Sequence, residues 1–109
     1  MGVKVTNNAT TTITADLSST ALSLTVATGT GILFPVLGAG DYFYATLVNT
    51  SGNFEVVKVT ARTDDVMTIV RAQEGNLALP FPDNSRFELR VTAASVLESF
   101  ISNYDFLLL

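Results

Sequence analysis

Apolar and polar residues alternate along much of this chain, and the period of the alternation divides it into elements. Between Thr11 and Leu17, Ile13, Ala15 and Leu17 share one face while Thr12, Thr14 and Asp16 share the other. Period two with β-branched residues predicts a half-buried strand. After Ser18-Ser19-Thr20, Leu22, Leu24 and Val26 alternate with Ser23, Thr25 and Ala27, a second strand. So short a break predicts an antiparallel hairpin. Thr28-Gly29-Thr30-Gly31 reads as a loop, because closely spaced glycines interrupt regular structure. Ile32-Leu33-Phe34 ends at Pro35 and predicts an apolar plug on the core, before a turn at Gly38-Ala39-Gly40-Asp41.

The stretch Tyr42–Gly75 carries the strongest strand signals. Tyr42 to Asn49 is mostly apolar with weak alternation, the pattern of a strand buried on both faces. Thr50-Ser51-Gly52-Asn53 supplies residues that tolerate positive φ, hence a turn. In Phe54 to Thr63, Val57, Val59 and Ala61 oppose Lys58, Thr60 and Arg62. Asp64-Asp65 is the next turn. Val66 to Arg71 is a third strand, in which the pattern leaves open whether Met67 and Ile69 or Val66 and Val70 face inward. Two tight connections in succession predict a meander.

Ala72 to Ser85 contains Gly75, Pro80, Pro82 and Asn84, which excludes a central strand. Leu77, Leu79 and Phe81 are expected to fold back over an open end of the sheet. Arg86 to Val91 returns to period two, with Phe87, Leu89 and Val91 inward and Arg86, Glu88 and Arg90 outward, facing solvent or an ionic contact. From Thr92 the period lengthens. Val96, Leu97, Phe100, Ile101 and Tyr104 fall at helical spacing opposite Glu98, Ser99 and Ser102. Thr92 suits an N-cap, and Asn103 and Asp105 suit the helix end. The expected fold is all-β, a small antiparallel sandwich or barrel of about six or seven strands. It spans residues 1–92, with one C-terminal α-helix and an apolar tail, residues 93–109, as a docking segment of the same domain.

Composition narrows the functional classes. The chain has 109 residues, enough for one domain. It is 48% hydrophobic and only 15% charged, with a mean hydropathy of +0.40. Few charges are available to cover a large surface, so other subunits are expected to cover part of it, beside a Thr- and Ser-rich remainder. Net charge is −4, and Lys4, Lys58, Arg62, Arg71, Arg86 and Arg90 form no basic stripe, which argues against nucleic acid as a partner. Cys, His and Trp are absent. Thiol chemistry, disulfides and the commonest general base and metal ligand go with them. Neither a signal peptide nor a membrane-spanning segment is expected.

The remaining chemistry is sparse, and no catalytic, cofactor-binding or metal-binding residue is assigned. Asp64-Asp65 lacks the alternating spacing of a calcium loop and suits a hairpin turn. Glu55, Glu74 and Glu88 lack a sequence-defined separation of the kind a glycosidase pair needs, and suit solvated faces or structural ion pairs. Tyr42, Phe43, Tyr44 and Phe54 resemble a sugar-stacking platform in type, but aromatics in an apolar strand are more often core. Arg71-Ala72-Gln73-Glu74-Gly75 is the most distinctive segment. We read Arg71, Gln73, Glu74 and Gly75 as a structural loop with the glycine at positive φ, and Arg71 as a partner of Glu74 or Glu88. The apolar stripe Val96, Leu97, Phe100, Ile101 and Tyr104 suits either the domain's own sheet or a partner. The tail Phe106, Leu107, Leu108 and Leu109 suits a neighbouring chain, because burying each leucine stabilises by roughly 1.5–3 kcal/mol.

Four stretches carry a family resemblance: Gly38-Ala39-Gly40-Asp41-Tyr42-Phe43-Tyr44-Ala45-Thr46-Leu47, Glu55-Val56-Val57-Lys58-Val59-Thr60-Ala61-Arg62, Thr68-Ile69-Val70-Arg71-Ala72-Gln73-Glu74-Gly75 and Phe87-Glu88-Leu89-Arg90-Val91-Thr92-Ala93-Ala94. With the Thr-rich opening they resemble the N-terminal attachment module of bacteriophage tail-fibre and tail proteins, in a short, free-standing version. Arg71-x-Gln73-Glu74-Gly75 is the most specific part. The chain departs from the family pattern at Ala72, where glycine is usual, and at Asn76, where threonine is common. The resemblance implies a non-enzymatic virion structural protein without cofactors, a tail or fibre adaptor or anchoring subunit. Its expected partners are other virion proteins of tail, fibre or capsid, with copies of itself as a trimer or ring, and neither nucleic acid nor membrane. Its expected place is the tail or fibre attachment region of the virion, after synthesis in the bacterial host cytoplasm. A capsid decoration (cement) protein and a carbohydrate-binding module or small hydrolase are the alternatives.

Overall fold

Tight turns on either side of Phe54–Thr63 fold the middle of the chain into a three-stranded meander. The computed structural model describes residues 2–4, 6 and 9–90. Its strands are β1 (Gly2–Val3), β2 (Thr10–Thr12), β3 (Ser23–Thr25), β4 (Asp41–Val48), β5 (Phe54–Thr63), β6 (Val66–Gln73) and β7 (Arg86–Glu88), with one 3-10 turn at Gly31–Leu33. The β4–β5 turn is held by Asn49, whose side-chain oxygen accepts the Ser51 and Asn53 N–H groups, each at 3.0 Å. Gly52 supplies the positive φ of 85° that this turn requires. At the β5–β6 turn Asp64 takes that role at φ 52°, a conformation aspartate tolerates better than most side chains.

These strands form one sheet in the order β2-β7-β4-β5-β6-β3, with β1 added in parallel to β4. All other ladders are antiparallel. The sheet curls into a half-barrel, so of the two expected architectures the structure favours the barrel type over a sandwich. Its ends come together where Ile13 bridges Val26; the Thr14 N–H donates to the Thr25 carbonyl and the Ala27 N–H to the Thr12 carbonyl, each at 3.0 Å. The expected hairpin of the first two strands is thus reduced to this seam. β2 ladders on β7 and β3 on β6 instead. The meander and β7 present two open edges, and each short strand satisfies the unpaired backbone of one.

The inner face holds Phe43, Ala45 and Leu47 of β4, Val57 and Val59 of β5, Met67 and Ile69 of β6, and Phe87 of β7, closed by Ile13, Leu17, Leu24, Val26, Phe34 and Phe81. Met67 and Ile69 therefore face inward, while Val66 and Val70 face out. Phe34 packs against Phe43 and Phe87 with ring centroids 5.7 and 5.3 Å apart. The expected plug is this single ring. Ile32 and Leu33 point into solvent, because the 3-10 turn sends successive side chains in different directions. Phe81 folds inward and pairs with Leu17, and Leu79 packs on the core, but Leu77 is exposed. Ala15 and Ala61 are exposed as well; the regular strand pattern stops at Thr12 in one case, and a register shift between Val59 and Ala61 breaks it in the other. The predicted helix and tail, residues 93–109, lie outside the described residues.

Candidate interaction surface

Strands β5 and β6 each carry one charged residue in phase with their inward-facing apolar residues: Glu55 with Val57 and Val59, Arg71 with Met67 and Ile69. Both turn into the protein and meet. The Arg71 Nε–H donates to Glu55 Oε2 and Nη2–H to Oε1, each at 2.8 Å. Side-chain exposure is 7% for Arg71 and 0% for Glu55. The remaining guanidinium hydrogens go to backbone carbonyls: Nη1 donates to Ser18 and Ala21, and Nη2 donates a second time, to Leu79. Glu55 in turn accepts the N–H groups of Ala72 at 2.9 Å and Leu79 at 2.8 Å. Every donor of the arginine and every acceptor position of the carboxylate is occupied.

This arrangement corrects the expected partner of Arg71, which is Glu55 and neither Glu74 nor Glu88. It ties the 18–21 turn and the 74–80 loop to the sheet. Burial pushes the Glu55 carboxyl upward, but the Arg71 hydrogen bonds and charge, with the Leu79 and Ala72 N–H groups, outweigh it and hold the carboxyl below its usual range. Gln73 adds a bond from its side-chain amide to the Arg71 carbonyl at 3.1 Å. Glu74 is an exposed turn residue at φ 56°, and Gly75 follows at φ 80°. Of the four loop residues read from sequence, Arg71 is the anchor. Glu55 is the partner that sequence reasoning missed, although a glutamate on the inward parity of a strand was the available signal.

A second charged clamp holds the other major loop. Asp65 accepts the Gly29 and Gly31 N–H groups at 3.0 and 2.9 Å. Those two bonds, against a smaller effect of burial, lower its pKa, and the nearby Arg62 charge adds to them. Arg62 donates from Nε to the Pro35 carbonyl at 3.2 Å and from Nη1 to the Asp64 carbonyl at 3.1 Å. Gly31 sits so close to the β5–β6 turn that a Cβ there would overlap the Asp64 carbonyl.

The two clamped loops carry the most exposed large apolar side chains among the described residues. Ile32 and Val36, on the loop fixed by Asp65 and Arg62, are 78% and 80% exposed. Leu77, between the anchored Asn76 and Leu79, is 78% exposed; the Asn76 side chain accepts the Val56 N–H at 2.7 Å. Leu22, next to the anchored Ala21, is exposed too. Apolar groups on backbone tied down in this way keep a fixed geometry in water, as a preorganised contact surface requires.

The other candidates separate in space. Glu88 bridges Arg86 at 3.0 Å and Arg90 at 2.7 Å on the outer face, the ionic alternative expected for that strand. Burial raises its carboxyl pKa, and the bonds and charges of Arg90 and Arg86 bring the net value below the usual range. Glu55, Glu74 and Glu88 do not converge, and Glu55 has no acceptor position left for a substrate. Among the aromatics, Phe43 and Tyr44 are buried, Phe54 is exposed, and Tyr42 has Lys58 Nζ over its ring at 4.2 Å. A cleft of about 200 Å³ lies instead between the β4–β5 turn and Pro82–Arg86. The expected partner-binding residues Val96, Leu97, Phe100, Ile101, Tyr104 and Phe106–Leu109 lie outside the described residues. No protein-family model matches this chain, and no curated protein matches it.

Proposed function

We propose that this protein is a structural subunit of a bacteriophage virion, an adaptor or anchor in the tail or fibre attachment region. One observation carries the reading most directly: Ile32, Val36 and Leu77 are held exposed on loops pinned from beneath by Asp65, Arg62 and the Glu55–Arg71 pair. A fixed apolar surface on a domain with only 15% charged residues suits assembly with other subunits. The segment that resembles the phage modules, Arg71–Gly75, serves here as scaffold for that surface. The apolar tail Phe106–Leu109 extends the contact to a neighbouring virion protein.

The test is co-sedimentation. A tagged full-length chain produced with its phage is expected in the particle fraction of a density gradient, and a chain lacking residues 103–109 in the soluble fraction. Absence of the full-length chain from particles overturns the reading; normal incorporation of the shortened chain overturns the role of the tail.

A further inference from the structure

At the end of the sheet nearest the β4–β5 turn, Arg86 of β7 lies in register between Thr12 of β2 and Val48 of β4. Leu47 and Phe87, one position along their strands, belong to the core, so this row faces outward. It lines a cleft of about 200 Å³, between Asn49 and Thr50 of the turn and Pro82, Asp83 and Asn84 of the preceding loop. Backbone bonds fix both walls. The Asn49 N–H donates to the Asn53 carbonyl at 3.0 Å and the Gly52 N–H to the Asn49 carbonyl at 3.1 Å. Opposite, the Asp83 N–H donates to Asp16 Oδ1 at 2.8 Å, and the Asn84 N–H to the Ile13 carbonyl at 3.0 Å. The side chains, by contrast, are largely uncommitted. Among the described residues Thr12, Thr50, Asp83 and Asn84 make no side-chain hydrogen bond within the protein, Asn49 uses only its Oδ1, and Arg86 uses only its Nη1.

We infer that this cleft binds one sugar ring of a glycan. The side-chain amides of Asn49 and Asn84 and the Arg86 guanidinium can donate, the Asp83 carboxylate can accept, and the Thr12 and Thr50 hydroxyls can do either. A sugar ring carries neighbouring hydroxyls that each donate and accept, and it needs such a mixture around it. Val48 and Pro82 offer apolar surface to the C–H groups of the ring. The two charges disfavour ions, since Asp83 repels an anion drawn to Arg86, and Arg86 repels a cation drawn to Asp83. The volume suits a single ring and lies below the roughly 300 Å³ at which drug-sized sites begin. Asn84 holds φ at 70°, a conformation glycine adopts freely and asparagine tolerates; asparagine there keeps an amide on the cleft wall. A site this open, with few contacts, implies a dissociation constant of about 1–10 mM. The inference does not rest on the virion reading, and none of Tyr42, Phe43, Tyr44 and Phe54 lines the cleft.

The test is an NMR titration of the isotope-labelled full-length chain with the methyl glycosides of glucose, galactose, mannose, N-acetylglucosamine and rhamnose. At least one is expected to give saturable amide shifts centred on Thr12, Asn49, Thr50, Asp83, Asn84 and Arg86. Asn84→Gly keeps the positive φ and removes the amide, and Asp83→Asn removes the charge at nearly constant size. Each is expected to weaken binding at least about tenfold, the scale of a lost hydrogen bond to a charged or well-placed group, with the rest of the amide spectrum retained. Leu77→Ser, outside the cleft, should bind as the parent does. Asp83→Asn carries the comparison alone if Asn84→Gly does not fold. Shifts with none of the five glycosides overturn the inference, as do shifts centred elsewhere or parental affinity in the cleft variants. Saturable shifts with sodium phosphate and with no glycoside assign the cleft to an anion and overturn it too.

Discussion

Arg71 and Glu55 face each other from adjacent strands through two parallel hydrogen bonds of 2.8 Å, with the carboxylate fully buried. Each is also the partner of backbone groups from other segments. A buried ion pair alone is often replaceable by apolar residues. This one is not isolated, because five backbone groups depend on it. Glu55→Gln or Arg71→Met is expected to lower the unfolding free energy by about 3–5 kcal/mol. Arg71→Lys should also be strongly destabilising, since an ammonium cannot reproduce the fork. The double variant Glu55→Leu with Arg71→Met is expected to remain destabilised, because the N–H groups of Ala72 and Leu79 and the carbonyls of Ser18, Ala21 and Leu79 lose their partners. Urea unfolding checks this; a double variant as stable as the parent sinks the account.

Acid should act through the same carboxylates. Glu55, Asp65 and Glu88 all titrate below their usual values in the folded protein. A carboxyl with a depressed folded pKa contributes stability that is fully present above its unfolded pKa and is lost as pH falls through the folded value. The urea midpoint is therefore expected to stay level from pH 7 down to about 5 and to fall below about 4, since unfolded Glu and Asp titrate near 4.3 and 3.9. In Glu55→Gln the fall should be shallower. A parent midpoint that rises on acidification contradicts this assignment.

Ala72 sits in the left-handed region at φ 57° while its N–H is committed to Glu55 Oε2. For an L-residue that region costs roughly 1–2 kcal/mol, partly offset in a glycine variant by about 0.4–1 kcal/mol of added unfolded-chain entropy. Ala72→Gly is expected to stabilise the protein by about 0.5–1 kcal/mol, the reverse of the usual sign in a strand. A thermal melt distinguishes the two directions.

The exposed apolar residues should matter little to the fold. Ile32→Ser, Val36→Ser and Leu77→Ser are each expected to change stability by less than about 0.5 kcal/mol, since each side chain is already mostly in water. Combined, they are expected to reduce incorporation into particles. Unchanged incorporation with unchanged stability removes these loops from the contact surface.

Much of the central fold was legible because its signals are local. Gly52 and Asp64 mark turns, and the alternation of Phe54 to Thr63 marks a strand whose bounds agree with the structure. The closure of the sheet was not legible. The alternating stretches 11–17 and 22–27 look like a hairpin from the short break between them, yet the strands that form there, Thr10–Thr12 and Ser23–Thr25, each pair with a strand more than 40 residues away along the chain. Exposed Ile32 and Leu77 are indistinguishable from core residues by type alone.

The sequence by itself determined where the chain can extend and where it must turn, because period-two burial and positive-φ residues act over a few positions. It also determined that thiol, disulfide and imidazole chemistry are missing, through the absence of Cys and His. Only the tertiary structure decided which edges pair, which apolar side chains stay in water, and that Arg71 belongs to Glu55. Those outcomes depend on groups brought together from distant parts of the chain. The Glu55 carboxylate tolerates burial there because Arg71, Ala72 and Leu79 all arrive to satisfy it.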